Sequence, residues 1–596
     1  MKNKNDPDYQ RVILAVFLTA IILIGWQILV EWPRRQQLAQ NYAIEQQKKT
    51  ATKNEKATNI TAKGIDADYA PNLTRTERLQ TTERVVIKSD KLHGSISLKG
   101  ARFDDLTLAK YKEALDKDSP EVILLTPNGD ENAYFAQAGW ISIDGKTKVP
   151  DGKSLWKSDK STLTDNDSIN LSWDNGEGVI FTLNISMDED YMFSINQKVE
   201  NHSANEISVA PYSYINRTYK DIVSNPIMHV GPLGVMEGAL TEISYNELLE
   251  KGNKTYDNAG GWLGITDKYW LTAMIPDYKQ FKASFSHYNK NNQNRYQVDY
   301  LGTEQTIAIG ESQSSKLRFF AGAKEINVLD TYATGNANAA PIPLFDRSVD
   351  FGVLYFLTKP LFLMLNFFYS LIGNFGLAIM MVTIVIKILM YPLANKSYIA
   401  MAKMRVLQPE MLKIKEKHKD DQMAISKETM GLYKRHKVNP ASGCLPLLIQ
   451  MPVFFALYKV LYVTIEMRHA PFFGWLKDLS EADPSNVFTA FGLLEWSTPL
   501  FLHLGILPIL YSVTMIIQQR QQPAPTDPVQ AKMLKMMPFI LLFLFASFPA
   551  GLVLYWVWSN ILSIIQQEII TLRHGTHRSQ RDKENKLASN LSKSHE

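Results

Sequence analysis

The chain has 596 residues, a formal net charge of +4 and a single cysteine, Cys444. That length leaves room for several domains, the lone cysteine excludes an internal disulfide framework, and the near-balanced charge, with no recognisable nucleic-acid motif, gives no expectation of a DNA partner. The apolar residues are bunched rather than spread, which excludes a uniformly soluble chain.

The first bunch is residues 12–30, preceded by Lys2, Lys4 and Arg11 and followed by Glu31-Trp32-Pro33. It is longer than the apolar core of a signal peptide and ends without a small-x-small cleavage site. Residues 11–31 therefore read as an uncleaved N-terminal transmembrane anchor. Residues 32–80 are rich in Gln, Lys, Asn, Thr and Ala without apolar periodicity, the composition of a solvated, flexible linker.

Residues 81–335 change character. In "TLNISMDEDYMFSINQKVEN" the residues Leu183, Ile185 and Met187 alternate, followed by Phe193, Ile195 and Val199. Period two bounded by Asp and Asn predicts half-buried antiparallel strands, and "HGSISLKGARFDDLTL" reads the same way. Such segments over this span predict one large β-sandwich. No acidic pair, histidine cluster or phosphate loop marks an active site in it. No cofactor or metal is expected, and the chain does not read as an enzyme.

From 350 onward the chain is mostly apolar. The stretch from Phe351 to Leu393 is too long for one crossing and is punctuated by Lys359-Pro360 and Gly373-Asn374. Loop charge divides it. Residues 395–443 hold eleven Lys or Arg against five acids, and residues 466–499 hold two against five. By the positive-inside rule the first segment is cytoplasmic and the second lies outside. The simplest solution makes 350–370 an interfacial amphipathic helix and 371–394 the second transmembrane helix. Further spans follow at 444–466, 500–519, 533–548 and 550–570, with a periplasmic loop at 467–499 and a basic cytoplasmic tail at 571–596. Residues 395–443, with apolar residues at three- and four-residue spacing on both sides of Lys419-Asp420-Asp421, predict a cytoplasmic helical hairpin. Lys403, Arg405, Lys413, Lys434 and Arg435 on its basic faces are candidates for contact with anionic lipid, ribosomal RNA or a nascent chain. The predicted fold class is a multi-domain membrane protein. It combines a six-span α-helical bundle (the anchor plus a five-helix core), a large periplasmic antiparallel β-sandwich and the cytoplasmic hairpin, with both termini cytoplasmic.

Lys387 lies inside the second span, where a lysine is costly. Thr383 shares its helix face. Two other spans are polar on one side: Tyr555, Ser559, Ser563 and Gln566 form a stripe in the last span, with Trp556, Asn560 and Gln567 beside it, and Gln450 shares a face with Phe454 and Tyr458 in the third. Polar stripes on several helices predict a common wet cavity. The fifth span offers about 12 apolar residues after Pro538, roughly 18 Å of helix, too short for the hydrocarbon core. Together these predict a half-open cationic groove. Lys459, late in the third span, reads as a lysine snorkelling to the outer face. Leu448, Phe455 and Phe543 form apolar faces past which a segment would leave. The rival readings are a solute transporter or channel, for which repeats or broken midplane helices are missing, and a periplasmic sugar-modifying enzyme on an anchor.

"YPLANKSYIAMAKMRVLQPE", "VNPASGCLPLLIQMPVFFALY", "TDPVQAKMLKMMP" and "FPAGLVLYWVWSNILSIIQQ" resemble the YidC-type membrane protein insertases of Gram-negative inner membranes, and "GWLGITDKYWLTAMIP" resembles that family's periplasmic sandwich. The resemblance implies an insertase and folding chaperone for nascent membrane proteins, acting alone or with the Sec translocon, with the ribosome as a further partner. It also implies a groove open to cytoplasm and lipid. The positive residue there is usually arginine, and in this chain the position holds Lys387. By position Thr383 and Trp556 match groove contacts of the family.

Overall fold

A computed structural model describes residues 73–592 except 220–227, 291, 336–339, 419–420, 440–444, 495–503 and 523–527; the side chains of 422, 445–449, 491–492, 528–530, 571 and 573–592 are also outside the description. The predicted anchor at 11–31, nearly all of the linker and Cys444 fall outside it. The backbone at Leu448 is helical, but its predicted exit face is not described.

Alternation in the sequence becomes two stacked sheets. Strand Val179–Met187 buries every second residue, Leu183, Ile185 and Met187 among them. It pairs antiparallel with Met192–Asn201, Ile185 standing opposite Ile195. "HGSISLKGARFDDLTL" forms strands Leu92–Ser97 and Arg102–Lys112, antiparallel. Among the described residues one sheet has eleven strands and the other nine, and their inner faces meet through rings such as Phe103, Phe193 and Phe319. Two short helices, α1 (Arg75–Leu79) and α2 (Tyr245–Lys251), decorate the sandwich, and α3 (Ile326–Thr334) follows its last strand.

The rest is helical: α4 (Tyr355–Ile372), α5 (Phe375–Val406), α6 (Gln408–His418), α7 (Gln422–Arg435), α8 (Leu445–Val463), α9 (Ile506–Arg520), α10 (Pro528–Phe545) and α11 (Ala550–Ser592). Among the described residues α4 and α5 are long and apolar enough to cross a membrane, and Gln450–Val463 is a shorter apolar stretch. Of the two predicted breaks only one occurs. Gly373, at φ 71°, ends α4, and the Asn374 side chain accepts the Leu377 N–H at 3.1 Å to start α5. Lys359 and Pro360 lie inside α4.

Three predicted boundaries move. α5 continues through Pro392 to Val406, 32 residues in all, so the first part of the expected hairpin is an extension of the span. The break comes at Leu407, because Pro409 has no N–H and its ring crowds the carbonyl of residue 405. The hairpin proper is α6 and α7, where Met411, Ile414, Leu432 and Tyr433 are buried together. α10 starts at Pro528, ahead of the expected 533, which adds Lys532 to the Lys535 already expected in it. α11 runs 43 residues, carrying the helix on through the predicted tail to Ser592.

Residues 465–486 join the two halves. The Glu466 carboxylate accepts the Ile326 N–H at 3.1 Å, capping α3, whose own cap residue Glu325 is taken up by Lys91 at 3.2 Å, Tyr111 at 3.0 Å and Tyr191 at 2.6 Å. Arg468 donates to the Lys112 carbonyl at 2.6 Å. At the same level Lys459, inside α8, forms an ion pair with Asp350 at 2.8 Å. Lys459 therefore does not snorkel: its charge is met by a carboxylate from the chain just before α4.

Burial pushes the Glu466 carboxyl up to about 7, with Glu325 and Asp330 repelling its charge and the Ile326 amide working the other way. A carboxyl raised in the folded state from about 4.5 contributes stability that is full below 4.5 and lost as pH rises through 7. Glu466→Gln keeps the acceptor and lacks the charge. It is expected to unfold at a higher temperature than wild type at pH 8, with the gap closing towards pH 4.5, measured by thermal unfolding of the detergent-solubilised chain.

Candidate functional site: a lysine facing a serine stripe

Five helices run alternately between the β-domain end and the hairpin end. α5 starts where Gly376 meets Phe472, so closely that a Cβ would collide with that ring. α8 returns from the hairpin and ends at Val463, and the ring of Tyr462 in its last turn lies 4.2 Å from the Lys268 ammonium of the β domain. α9 starts against Asp483, whose carboxylate accepts the Leu507 N–H at 2.8 Å, while the Ser485 hydroxyl accepts the Ile506 N–H at 2.9 Å. A Cβ at Gly505 would stand 2.6 Å from Asp483 Cγ. α11 starts with Ala550 and Gly551 donating to the carbonyls of Glu481 and Leu479 at 2.7 and 2.9 Å. One loop thus satisfies the first amides of α9 and α11 and closes that end of the bundle.

Away from that end, Lys387 points inward. Its ammonium donates to Ser563 Oγ at 2.8 Å, and Ser563 donates to the Ser559 carbonyl at 2.9 Å. Among the described residues no carboxylate lies within ion-pair distance of Lys387. Ser559 and Ser563 are buried. Tyr555, one turn further along the same stripe, accepts from the Gln450 amide. The stripe Tyr555-Ser559-Ser563, at i, i+4 and i+8, therefore faces α5 and α8, as its spacing predicts.

Other predicted groove residues do not join it. Thr383 is buried and donates to its own helix at the Ile379 carbonyl, 2.7 Å away, because a threonine hydroxyl readily bonds the carbonyl four residues back. Trp556 stacks on Phe454 at 4.5 Å and on Phe545 at 4.0 Å. Tyr458 packs on Phe548 at 6.0 Å, and Tyr511 on Phe545 at 4.6 Å. These rings form an aromatic layer between the serine stripe and the closing loop. The neighbouring polar residues face a different partner: Asn560 donates to Thr514 at 3.1 Å and Gln567 to the Gln521 carbonyl at 2.9 Å, both across to α9. The last span thus has two polar seams one residue apart, and the expectation of one shared cavity for all of them is corrected.

Phe455 and Phe543, the described exit residues, are 48% and 53% exposed on the outer surface of the bundle. Of the cations predicted for the hairpin, Lys413, Lys434 and Arg435 are exposed on α6 and α7, and Lys403 is exposed on the end of α5. Arg405 is not part of the hairpin; it sits on the end of α5 and donates to the Arg520 carbonyl at 2.9 Å, covering the C-terminus of α9. Sequence reasoning missed Tyr511, Phe545 and Phe548. Their signal was the density of rings in "LLFLFASF" opposite "LVLYWVW".

Fold and site together define a helical membrane protein with a large extramembrane β-sandwich and a cationic, hydroxyl-lined interior. Two family descriptions match in tandem: YidC periplasmic domain over residues 84–364 and 60Kd inner membrane protein over 367–577. The membrane protein insertases YidC of Rickettsia bellii (strain OSU 85-389) and Rickettsia conorii (strain ATCC VR-613 / Malish 7) are each 46% identical, over 94% of this chain and 98% of theirs. The chain belongs to the YidC family of membrane protein insertases, and those relatives are named as insertases rather than enzymes. Among solved structures, an active YidC insertase crystal structure with its first transmembrane domain resolved aligns over 81% of this chain and 92% of that one, at 17% identity and TM-score 0.34. A galactose mutarotase related enzyme from Lactobacillus acidophilus aligns over 40% of this chain and 97% of that one, at 12% identity and TM-score 0.28. The family assignment rests on the Rickettsia relatives.

Trp556→Ala removes the centre of the aromatic layer and is expected to cost about 3–5 kcal/mol. Phe543→Ala, on the exposed face, is expected to stay within about 0.5 kcal/mol. Unfolding of the two variants in the same detergent compares them directly.

Proposed function

We propose that the chain inserts hydrophobic segments of nascent membrane proteins into the bacterial inner membrane through a groove open to cytoplasm and lipid, and that it also assists their folding. The observation that carries this reading is the Lys387 ammonium turned into the bundle against Ser563, with no carboxylate of its own nearby among the described residues. Such a charge is available to an acidic or polar segment arriving from outside the protein. Lys387 lies twelve residues after the start of α5, about 18 Å along it and past the middle of a ~30 Å core.

In this reading the membrane is crossed six times, by the anchor at 11–31 and by α5, α8, α9, α10 and α11. The β domain is periplasmic and both termini are cytoplasmic. α4 lies in the outer interface rather than across it. Its first turns are held to the β-domain side by Lys359 on Asp330 and by Tyr355 on Asp346, and its end is held there by Tyr369 stacked on Phe375 at 3.7 Å. Both of its ends thus sit on one side, although its composition would permit a crossing.

The steps follow from where polarity and apolar surface lie. The exposed cations of the hairpin and the basic tail attract a ribosome or nascent chain and border anionic lipid. A polar or acidic terminus enters beside Lys387, which lowers its desolvation cost. The aromatic layer and the loop beyond it block leakage. The apolar stretch of α10 after Pro538 is only seven residues to its end at Phe545, about 10 Å, and thins the barrier locally. The hydrophobic segment leaves past Phe455, Phe543 and Leu448 into lipid, where each buried methylene contributes about 0.8 kcal/mol. The membrane potential adds about 2.3 kcal/mol per charge per 100 mV to outward movement of a negative tail. Small substrates need no other component, and larger ones are handled beside the Sec translocon.

The test is insertion of a small single-span substrate with an acidic outer tail into proteoliposomes holding this protein alone. Lys387→Arg is expected to insert as wild type does. Lys387→Ala is expected to slow insertion about tenfold, the equivalent of ~1.4 kcal/mol, and Lys387→Glu to stop it. Full activity of Lys387→Glu would remove the electrostatic role.

A further inference from the structure

A cavity of about 430 Å³ opens at the end of the β-sandwich nearest the bundle. One wall carries Arg217 and Asp267, paired at 2.8 Å. The Arg217 guanidinium is held over the Tyr134 and Tyr219 rings, 4.5 and 5.1 Å from their centroids. That pair neutralises itself. Among the described residues the charges left on the lining are Lys268 and Glu113. Lys268 has no carboxylate within ion-pair distance among the described residues; it lies over the Tyr269 and Tyr462 rings at 4.7 and 4.2 Å, with Asp478 and Glu481 further off. Glu113 is exposed, and its backbone carbonyl accepts from Arg468 at 3.2 Å. Trp270 and Ile123, the latter 42% exposed, add apolar surface.

Position gives this lining its meaning. Tyr462 is in the last turn of α8, and Arg468, which stacks over Trp270 at 5.6 Å, follows directly after it. The cavity therefore opens at the level where α8 leaves the membrane, beside the outer headgroups. The cation and the anion left among the described lining residues, framed by aromatic rings and an exposed aliphatic patch, match a molecule with a phosphate next to an ammonium and an acyl tail. We propose that this cavity holds the headgroup of an outer-leaflet phosphatidylethanolamine, with its phosphate towards Lys268, its ammonium towards Glu113 and the start of its acyl region on Ile123. The bound lipid would lie between the β domain and the end of α8.

The inference rests on α8 spanning the membrane. Insertion activity of the same reconstituted samples, measured in parallel, reports on that reading separately. The test is native mass spectrometry of the full-length protein from nanodiscs containing equal amounts of phosphatidylethanolamine, phosphatidylglycerol and phosphatidylcholine. One phosphatidylethanolamine per chain is expected to be retained in preference to the other two. Glu113→Gln, an exposed change, is expected to lower that preference over phosphatidylglycerol about fivefold, the ratio given by ~1 kcal/mol for a part-exposed ion pair. Lys268→Met is expected to lower retention of both phosphatidylethanolamine and phosphatidylglycerol. Equal retention of the three lipids by wild type, or variants indistinguishable from it, would overturn the proposal. So would retention of soluble glycerophosphoethanolamine as tight as that of the lipid, since the site would then hold a solute.

Discussion

Helix N-termini leave amides without partners, and the arrangement of this bundle depends on where those partners come from. Residues 465–486 supply them. Asp483 and Ser485 take the amides of α9, the carbonyls of Leu479 and Glu481 take those of α11, and Glu466 reaches the other way to cap α3 of the β domain. Such groups cost most when buried unmet, so one short loop fixes where two helices of the bundle and one β-domain helix begin. The same loop makes the bundle asymmetric. Among the described residues its β-domain end holds capped helix starts and stacked rings, whereas the opposite end carries lysines, serines and glutamines.

That asymmetry underlies the role proposed for Lys387. A buried cation with its own carboxylate is a structural element, as Lys459 with Asp350 demonstrates in the same bundle. Lys387 is met by a hydroxyl instead. A serine oxygen satisfies one donor of an ammonium that has three and cancels none of its charge. The field of the side chain remains available, on the side of the aromatic layer away from the closed end. The two polar seams of α11 divide the labour: Asn560 and Gln567 hold α9 in place, and the serine stripe is left to face the lysine.

Much of this was legible in the chain. Period two around Leu183 and Ile195 specified strands, because alternation has no other economical packing. Gly373-Asn374 specified a helix stop and restart, since one adopts a left-handed cap and the other accepts a first-turn amide. Lys387 was legible because a charge in an apolar run calls for an explanation. What stayed hidden was contact between distant segments. Nothing local to Lys459 points to Asp350, 109 residues earlier. Nothing in the spacing of Trp556 distinguishes a ring facing a groove from one in a stack of rings drawn from four helices. Pro392 and Pro409 look alike in sequence, yet the helix passes through one and breaks before the other.

The length of α11 has a mechanical corollary. Its 43 residues make a rod about 65 Å long, roughly twice the hydrocarbon thickness. It is anchored at one tip by the loop under the β domain and carries the serine stripe along its middle. A rod pinned at one tip turns small tilts there into large displacements at the free tip, and the reverse also holds. Whatever grips its far end acts with leverage on the hydroxyls opposite Lys387.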